Sequence, residues 1–161
     1  MERPSLIVGL MSGTSLDGMD AALVRFTGPT RAELMAFSSR PYDKDERAKV
    51  RAAVEGRAAA PALARLHVLI AEWAAEAVQA VLHAGGVRAD EVDGIAFPGQ
   101  TIWHEPPFVS WQLGEPAVLA EAFGVRVVSG FRARDVAAGG QGAPLVPMAD
   151  LLLFSDAARN R

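Results

Sequence analysis

Gly9-Leu10-Met11-Ser12-Gly13-Thr14-Ser15-Leu16-Asp17-Gly18-Met19-Asp20 lies between two apolar runs, Leu6–Leu10 and Ala21–Phe26. The pattern reads as a strand, a polar turn and a second strand. Gly9, Gly13 and Gly18 let the backbone come close to a ligand, and Ser12, Thr14 and Ser15 add hydroxyls beside the turn's N–H groups. That is chemistry for holding phosphate. Asp17 and Asp20 place carboxylates beside those donors, where hard oxygen ligands suit Mg2+ or a water on the phosphates. An ordinary hairpin turn rich in Gly, Ser and Asp would account for the same residues with no ligand at all. No Gly-Lys-Ser/Thr follows the glycines and no GxGxxG opens a helix, so a hairpin would have to do the holding.

The chain around this stretch has 161 residues, enough for one domain with a proper core, and half of them are hydrophobic. Charged residues make up 22%, the formal net charge is −3, and the Lys and Arg residues are scattered. That argues against nucleic acid or a membrane surface as partner and favours a small or phosphorylated ligand. There is no cysteine, hence neither a disulfide framework nor a thiolate metal site, and the three histidines are too far apart for zinc spacing. A reducing cytoplasm is the expected compartment. Met1-Glu2-Arg3-Pro4 leads into a short apolar strand, which matches neither a signal peptide nor a membrane span.

Downstream, Gly28-Pro29-Thr30 is a turn and Glu33–Ser39 a third strand, so three strands form an antiparallel meander. Asp43–Glu55 reads as an amphipathic helix stopped by Gly56. In Pro61–His83, Leu63, Leu66, Ile70, Trp73, Ala77 and Val81 recur every three or four residues and predict one buried stripe. Asp93–Phe97 is a strand reached by helical crossover, therefore parallel, with Pro98-Gly99-Gln100-Thr101 at its carboxyl end, where open α/β sheets bind ligands. Phe108–Leu113 predicts a short strand or ribbon. Pro116 starts a helix that Gly124 closes, and Arg126–Ser129 is the next strand. Phe131–Asp135 leads into a glycine-rich loop, Gly139–Pro147, before a final helix, Met148–Phe154, and a charged end, Asp156–Arg161. The expected fold is α/β, a mixed five-stranded sheet in the order β-β-β-α-β-α-β-α with helices on both faces. That order is the one found in a lobe of the ribonuclease-H-like, actin-like ATPase fold, in which the first hairpin grips nucleotide phosphates.

Gly9–Asp20, Gly99–Pro106 (GQTIWHEP) and Phe131–Pro147 (FRARDVAAGGQGAPLVP) together closely resemble anhydro-N-acetylmuramic acid kinase, across essentially the whole chain and in the family's order. The resemblance implies ATP-dependent opening of the 1,6-anhydro ring of anhydro-N-acetylmuramic acid in cell-wall recycling. A water attacks the anomeric carbon and the oxygen at position 6 takes the γ-phosphoryl group, giving N-acetylmuramic acid 6-phosphate and ADP. By the same resemblance Gly13, Thr14, Ser15, Leu16, Asp17, Gly18, Met19 and Asp20 form the ATP segment, with Asp17 or Asp20 near Mg2+. Gln100, Thr101, His104, Arg132 and Asp135 fall on the sugar-site positions. A guanidinium pairs bidentately with a lactyl carboxylate, a role open to Arg132 or Arg134.

Other residues read more plainly. His67 and His83 are surface or helix-end residues, Trp73 belongs to the core stripe, and Met11 and Met19 are core residues of the hairpin. Trp103 and Trp111 flank the GQT segment and either stack on a sugar ring or, as expected here, pack beneath the loop. Leu145 and Val146 would leave the cleft face apolar and prone to self-association. Two positions depart from the family pattern: Pro98 stands where many members have histidine, and Gly130 where they have an acid. The family's Asp-x-Gly-Pro-Gly-Asn segment, which supplies the catalytic base, has no counterpart before Arg161. The chain is therefore expected to be an N-terminal lobe, inactive without its C-terminal lobe, and the resemblance implies a homodimer. The competing readings are a non-catalytic sugar- or nucleotide-binding module of the same fold and an actin-like or heat-shock-type ATPase lobe.

Overall fold

The computed structural model describes residues 3–154. Strand β1 (Ser5–Met11) pairs antiparallel with β2 (Gly18–Gly28), from Ser5↔Phe26 to Met11↔Asp20, and β2 pairs antiparallel with β3 (Arg31–Pro41). Two helices follow, α1 (Lys44–Val54) and α2 (Ala60–Gly85), and carry the chain back to β4 (Gly94–Ala96), parallel to β1. Strands β5 (Gln100–Glu105) and β6 (Val109–Leu113) leave the sheet as a separate antiparallel ribbon. After α3 (Pro116–Phe123), β7 (Val127–Val128) joins β4 in parallel, and α4 (Phe131–Ala137) and α5 (Val146–Phe154) complete the described chain. The sheet order is β3-β2-β1-β4-β7, the mixed five-stranded arrangement expected from the sequence.

Local chemistry explains the elements. Asp43 caps α1 by accepting from the Asp45 and Glu46 amides at 2.8 Å, while the Glu46 carboxylate accepts from the Asp43 amide at 3.0 Å, a full capping box. Helix α2 starts with Pro61 in its first turn and stops at Gly86, which takes a left-handed φ of 63° that a side chain disfavours. Its stripe of Leu66, Ile70, Trp73, Ala77 and Val81 is buried against the sheet face formed by Val8, Leu10, Met19, Ala21 and Leu23. Each such aliphatic side chain contributes roughly 1.5–3 kcal/mol by leaving water. Leu153 and Phe154 of α5 share a pocket with Val24 and Phe26, which point to the other face of β2.

Four expectations change. Met11 is not a core residue: it alternates with Val8 and Leu10, points to the opposite face and is 49% exposed, while Met19 is buried. Trp103 and Trp111 do not pack under a loop; they are cross-strand partners in the ribbon and about half exposed, with Trp111 lining a pocket beside Leu63, Ala64 and His67 of α2. Gln100 and Thr101 open strand β5 instead of lying in a loop. Phe131–Ala137 is helical, started after Gly130 at φ 70°, and α5 begins at Val146 instead of Met148, which shortens the glycine-rich loop from its expected end at Pro147. His83 is exposed at the end of α2 and His67 half-buried on it. The charged end Asp156–Arg161 lies outside the described residues. Among them, no helix is long and apolar enough to cross a membrane.

Candidate active site

β1, β4 and β7 are adjacent and parallel, so their carboxyl ends open on one edge of the sheet. Each of the three motif segments leaves from one of those ends: Ser12–Asp17 after β1, Pro98–Gln100 after β4, and Gly130 with α4 after β7. Ligands of open α/β sheets bind in this position, because backbone donors and loop side chains converge there without disturbing the core.

The first turn is anchored at its base and open at its tip. Leu16 has a φ of 58° and a buried side chain, and its N–H donates to the Gly13 carbonyl at 3.3 Å. Burying the leucine offsets the roughly 1 kcal/mol or more that a left-handed non-glycine residue costs. Thr14, Ser15 and Asp17 are exposed. Among the described residues the amides of Gly13, Thr14 and Ser15 have no acceptor, which leaves them available to an anion. A Cβ on Gly13 would meet nothing closer than Ser15 Oγ at 3.5 Å, an ordinary contact. On Gly18 it would lie 2.2 Å from the Arg40 carbonyl oxygen. Gly18 is thus required by the approach of β3, whether or not a ligand is present.

The turn is tied to the second segment by a buried polar chain. Ser12 Oγ donates to Gln100 Oε1 at 2.5 Å, and the Gln100 amide group donates to the Thr101 carbonyl at 3.1 Å, which fixes the amide's orientation. With the serine proton so used, the Tyr42 hydroxyl is the donor in the 2.9 Å contact with Ser12 Oγ. Burial pushes the Tyr42 hydroxyl up from its usual range, so the proton it donates is retained at neutral pH. The Tyr42 amide also donates to the Asp17 carbonyl at 2.9 Å, so Tyr42 holds both ends of the turn. Its ring lies 5.2 Å from that of Trp73. Arg40 stacks over the same tryptophan at 5.6 Å and forms a two-pronged pair with Glu46 at 2.7 and 2.9 Å. The Arg40 hydrogen bonds hold the Glu46 carboxyl below the ordinary glutamate value.

Of the residues expected at a sugar site, Gln100 is buried in this chain of bonds. Thr101 Oγ1 accepts from Gln112 at 3.3 Å, and His104 Nδ1 meets Ser110 Oγ at 3.1 Å within the ribbon. Arg132 and Asp135, one turn apart on α4, grip the same loop residue: Arg132 donates to the Gly142 carbonyl at 3.2 Å, and Asp135 accepts from the Gly142 amide at 2.7 Å. Helix α4 lies against β6, so turn, ribbon and α4 form a continuous series of contacts. Arg134 is exposed. Asp17 is exposed with one loose ion partner, Arg47 at 3.7 Å, and Asp20 is half-buried on β2 opposite Met11. No cluster of three or more His, Asp or Glu is present among the described residues. A single open carboxylate beside unpaired amides nevertheless suits Mg2+ that takes its other ligands from phosphate and water.

Sequence reasoning missed Tyr42 and Arg47. The Asp-x-x-Glu box right after Pro41-Tyr42 was the available signal, since it fixes the strand-to-helix junction that aims both side chains at the turn. His67 carries a structural role instead: Nδ1 accepts from the Gly114 amide at 2.9 Å, so the proton sits on Nε2, 3.3 Å from Glu115.

The family model described as anhydro-N-acetylmuramic acid kinase matches residues 5–161. The chain belongs to the anhydro-N-acetylmuramic acid kinase family. Among curated relatives carrying that name, the one from Caldanaerobacter subterraneus subsp. tengcongensis is 41% identical over 162 residues, 92% of this chain and 41% of the relative. Those from Rhizorhabdus wittichii and Gloeobacter violaceus are 44% and 41% identical, covering 89% and 98% of this chain. The chain therefore spans 41–44% of the length of these family members.

Proposed function

We propose that this chain is the phosphate-holding lobe of an anhydro-N-acetylmuramic acid kinase, acting in the cytoplasm with a second lobe, ATP and Mg2+. The observation that carries the reading is the convergence of the three motif segments at the carboxyl ends of β1, β4 and β7, joined by the Ser12–Gln100 bond. In this reading Gly13–Asp20 bind the ATP phosphates, through the unpaired amides of Gly13, Thr14 and Ser15 and the hydroxyls of Thr14 and Ser15. Asp17 or Asp20 holds Mg2+, which when bound neutralises charge on the phosphates. Thr101, His104, Arg132 and Asp135 face the sugar, with Arg132 keeping donors for a carboxylate beyond the one used on Gly142. Gln100 acts from beneath, by fixing the strand that presents Thr101.

The overall reaction joins water to the anomeric carbon, breaks that carbon's bond to the ring oxygen at position 6, and transfers the γ-phosphoryl group to that oxygen. The base that takes the water's proton belongs to the second lobe, and this chain alone is accordingly inactive; the complete enzyme is a homodimer. The test is turnover of anhydro-N-acetylmuramic acid with Mg-ATP by the chain alone and joined to a second lobe. No product is expected from the first, and equal amounts of ADP and sugar 6-phosphate from the second; ADP without phosphosugar would refute the assignment. A non-catalytic binding module is the second reading, favoured by Pro98 and Gly130, which present no polar side chains at the mouth of the site. Sugar binding without phosphorylation by the two-lobed protein would establish it.

A further inference from the structure

Arg47 directly follows the Asp43–Glu46 capping box of α1, with its guanidinium against the phosphate turn. Nη2 is 3.7 Å from Asp17 Oδ1, an ion pair too long to be a hydrogen bond. Its Nε is buried and has no acceptor among the described residues. Buried donors are nearly always paired, so an orphan of this kind marks a side chain that is not in its working position. Gly9–Asp20 contains neither Lys nor Arg. The neighbouring Arg40 is taken up by Glu46 on two N–H groups and by Glu76 at 2.5 Å on the third. A triphosphate at this turn would therefore meet unpaired amides and hydroxyls, with the Arg47 guanidinium already within 3.7 Å of Asp17 in the turn.

We infer that Arg47 is the phosphate-binding cation of the site, its guanidinium leaving Asp17 and engaging phosphate oxygens held at the turn. The planar fork of N–H donors matches phosphate bidentately, and little is lost by the move, because the present position satisfies Arg47 poorly. The same movement frees Asp17 for Mg2+. This inference rests on the turn being the phosphate site, and the experiment separates the two claims.

The probes are Mg-ATP and magnesium tripolyphosphate, added to the isotope-labelled chain and to the variants Arg47→Ala and Arg47→Lys. The Arg47 Nε–H resonance is expected to shift and to exchange more slowly as the Gly13–Asp17 amides shift. Arg47→Ala should weaken both probes by roughly tenfold to a hundredfold, the effect of losing a charge-assisted hydrogen bond, with no change in unfolding midpoint. Arg47→Lys should recover part of the loss, since the charge stays and the fork does not. Turn amides that shift while the Arg47 resonance stays fixed, or an Arg47→Ala variant that binds as well as the parent, would overturn the inference and leave the phosphate site standing. Weaker binding with a lowered unfolding midpoint and no recovery in Arg47→Lys would make Arg47 structural, which also overturns it. No shift at the turn with either probe would remove the phosphate site and the inference together.

Discussion

Gly18→Ala is the sharpest perturbation of the opening hairpin. The added Cβ would lie 2.2 Å from the Arg40 carbonyl oxygen, 2.8 Å from the Pro41 Cα and 3.0 Å from the Arg40 carbonyl carbon. All three are backbone atoms, so no side chain can swing away. The Gly18↔Pro41 end of the β2–β3 ladder must open by about 1 Å, an overpacking cost of roughly 1–3 kcal/mol. The Tyr42 amide bond to the Asp17 carbonyl is adjacent and strains with it, adding about 0.5–1.5 kcal/mol. The sum is about 1.5–4.5 kcal/mol, which for a domain of this size lowers the melting temperature by roughly 3–18 °C. Denaturant and thermal unfolding, each followed by tryptophan fluorescence and by circular dichroism, measure it. Gly9→Ala is the control, because a Cβ there meets nothing within 4 Å; it should be neutral or slightly stabilising. A Gly18→Ala variant within about 0.5 kcal/mol of the parent, the usual range of inert surface changes, would show that the β3 backbone does not press on this position.

Other perturbations follow from the same contacts. Tyr42→Phe keeps the ring against Trp73 and deletes the donor to Ser12, so it should cost about 1 kcal/mol, and its effect should be non-additive with Ser12→Ala because both act through one chain of bonds; additive costs in a double-mutant cycle would break that link. Glu46 has a carboxyl depressed by Arg40, so its contribution is present above the ordinary glutamate value of about 4.3 and lost as pH falls through its lower folded value. Glu46→Gln should therefore flatten the acid limb of the stability–pH curve below about pH 4.3, and an unchanged limb in urea titrations would contradict the assignment. Asp135→Ala removes the acceptor of the Gly142 amide and should speed exchange of the loop amides at 139–142 while sparing those of Val8 and Ile95; uniform acceleration across the core would count against a local clasp.

The meander, the α2 stripe and the parallel crossover were legible because each rests on a period that survives in one segment alone: alternation in β1 and β2, a three-to-four spacing from Leu63 to Val81, and glycine stops at Gly86 and Gly124. The ribbon was harder. Ile102 is buried while Trp103, its neighbour on the strand, is about half exposed, as strand alternation dictates, so hydrophobicity misled about the tryptophans. Met11 was misread for a related reason, since an apolar residue at a strand end follows the parity of its strand and not its own preference for burial. At the site, the residue types of the three motifs were visible, but their partners were not. That Gln100 bonds Ser12 and that Tyr42 bonds Ser12 are contacts between residues 88 and 30 apart, and Arg132 and Asp135 reach Gly142 across the end of α4, pairings that only the fold brings together.

The most direct test of the central claim, that Ser12–Asp17 holds nucleotide phosphate, is amide chemical-shift mapping of this chain as Mg-ATP is added, in the parent and in Gly13→Ala. A Cβ at Gly13 leaves the fold undisturbed, since its closest contact is an ordinary 3.5 Å. The account predicts saturable shifts centred on Gly13, Thr14 and Ser15 that weaken in Gly13→Ala at unchanged unfolding midpoint. Absence of shifts at those three amides, or identical titrations in parent and variant, would contradict it.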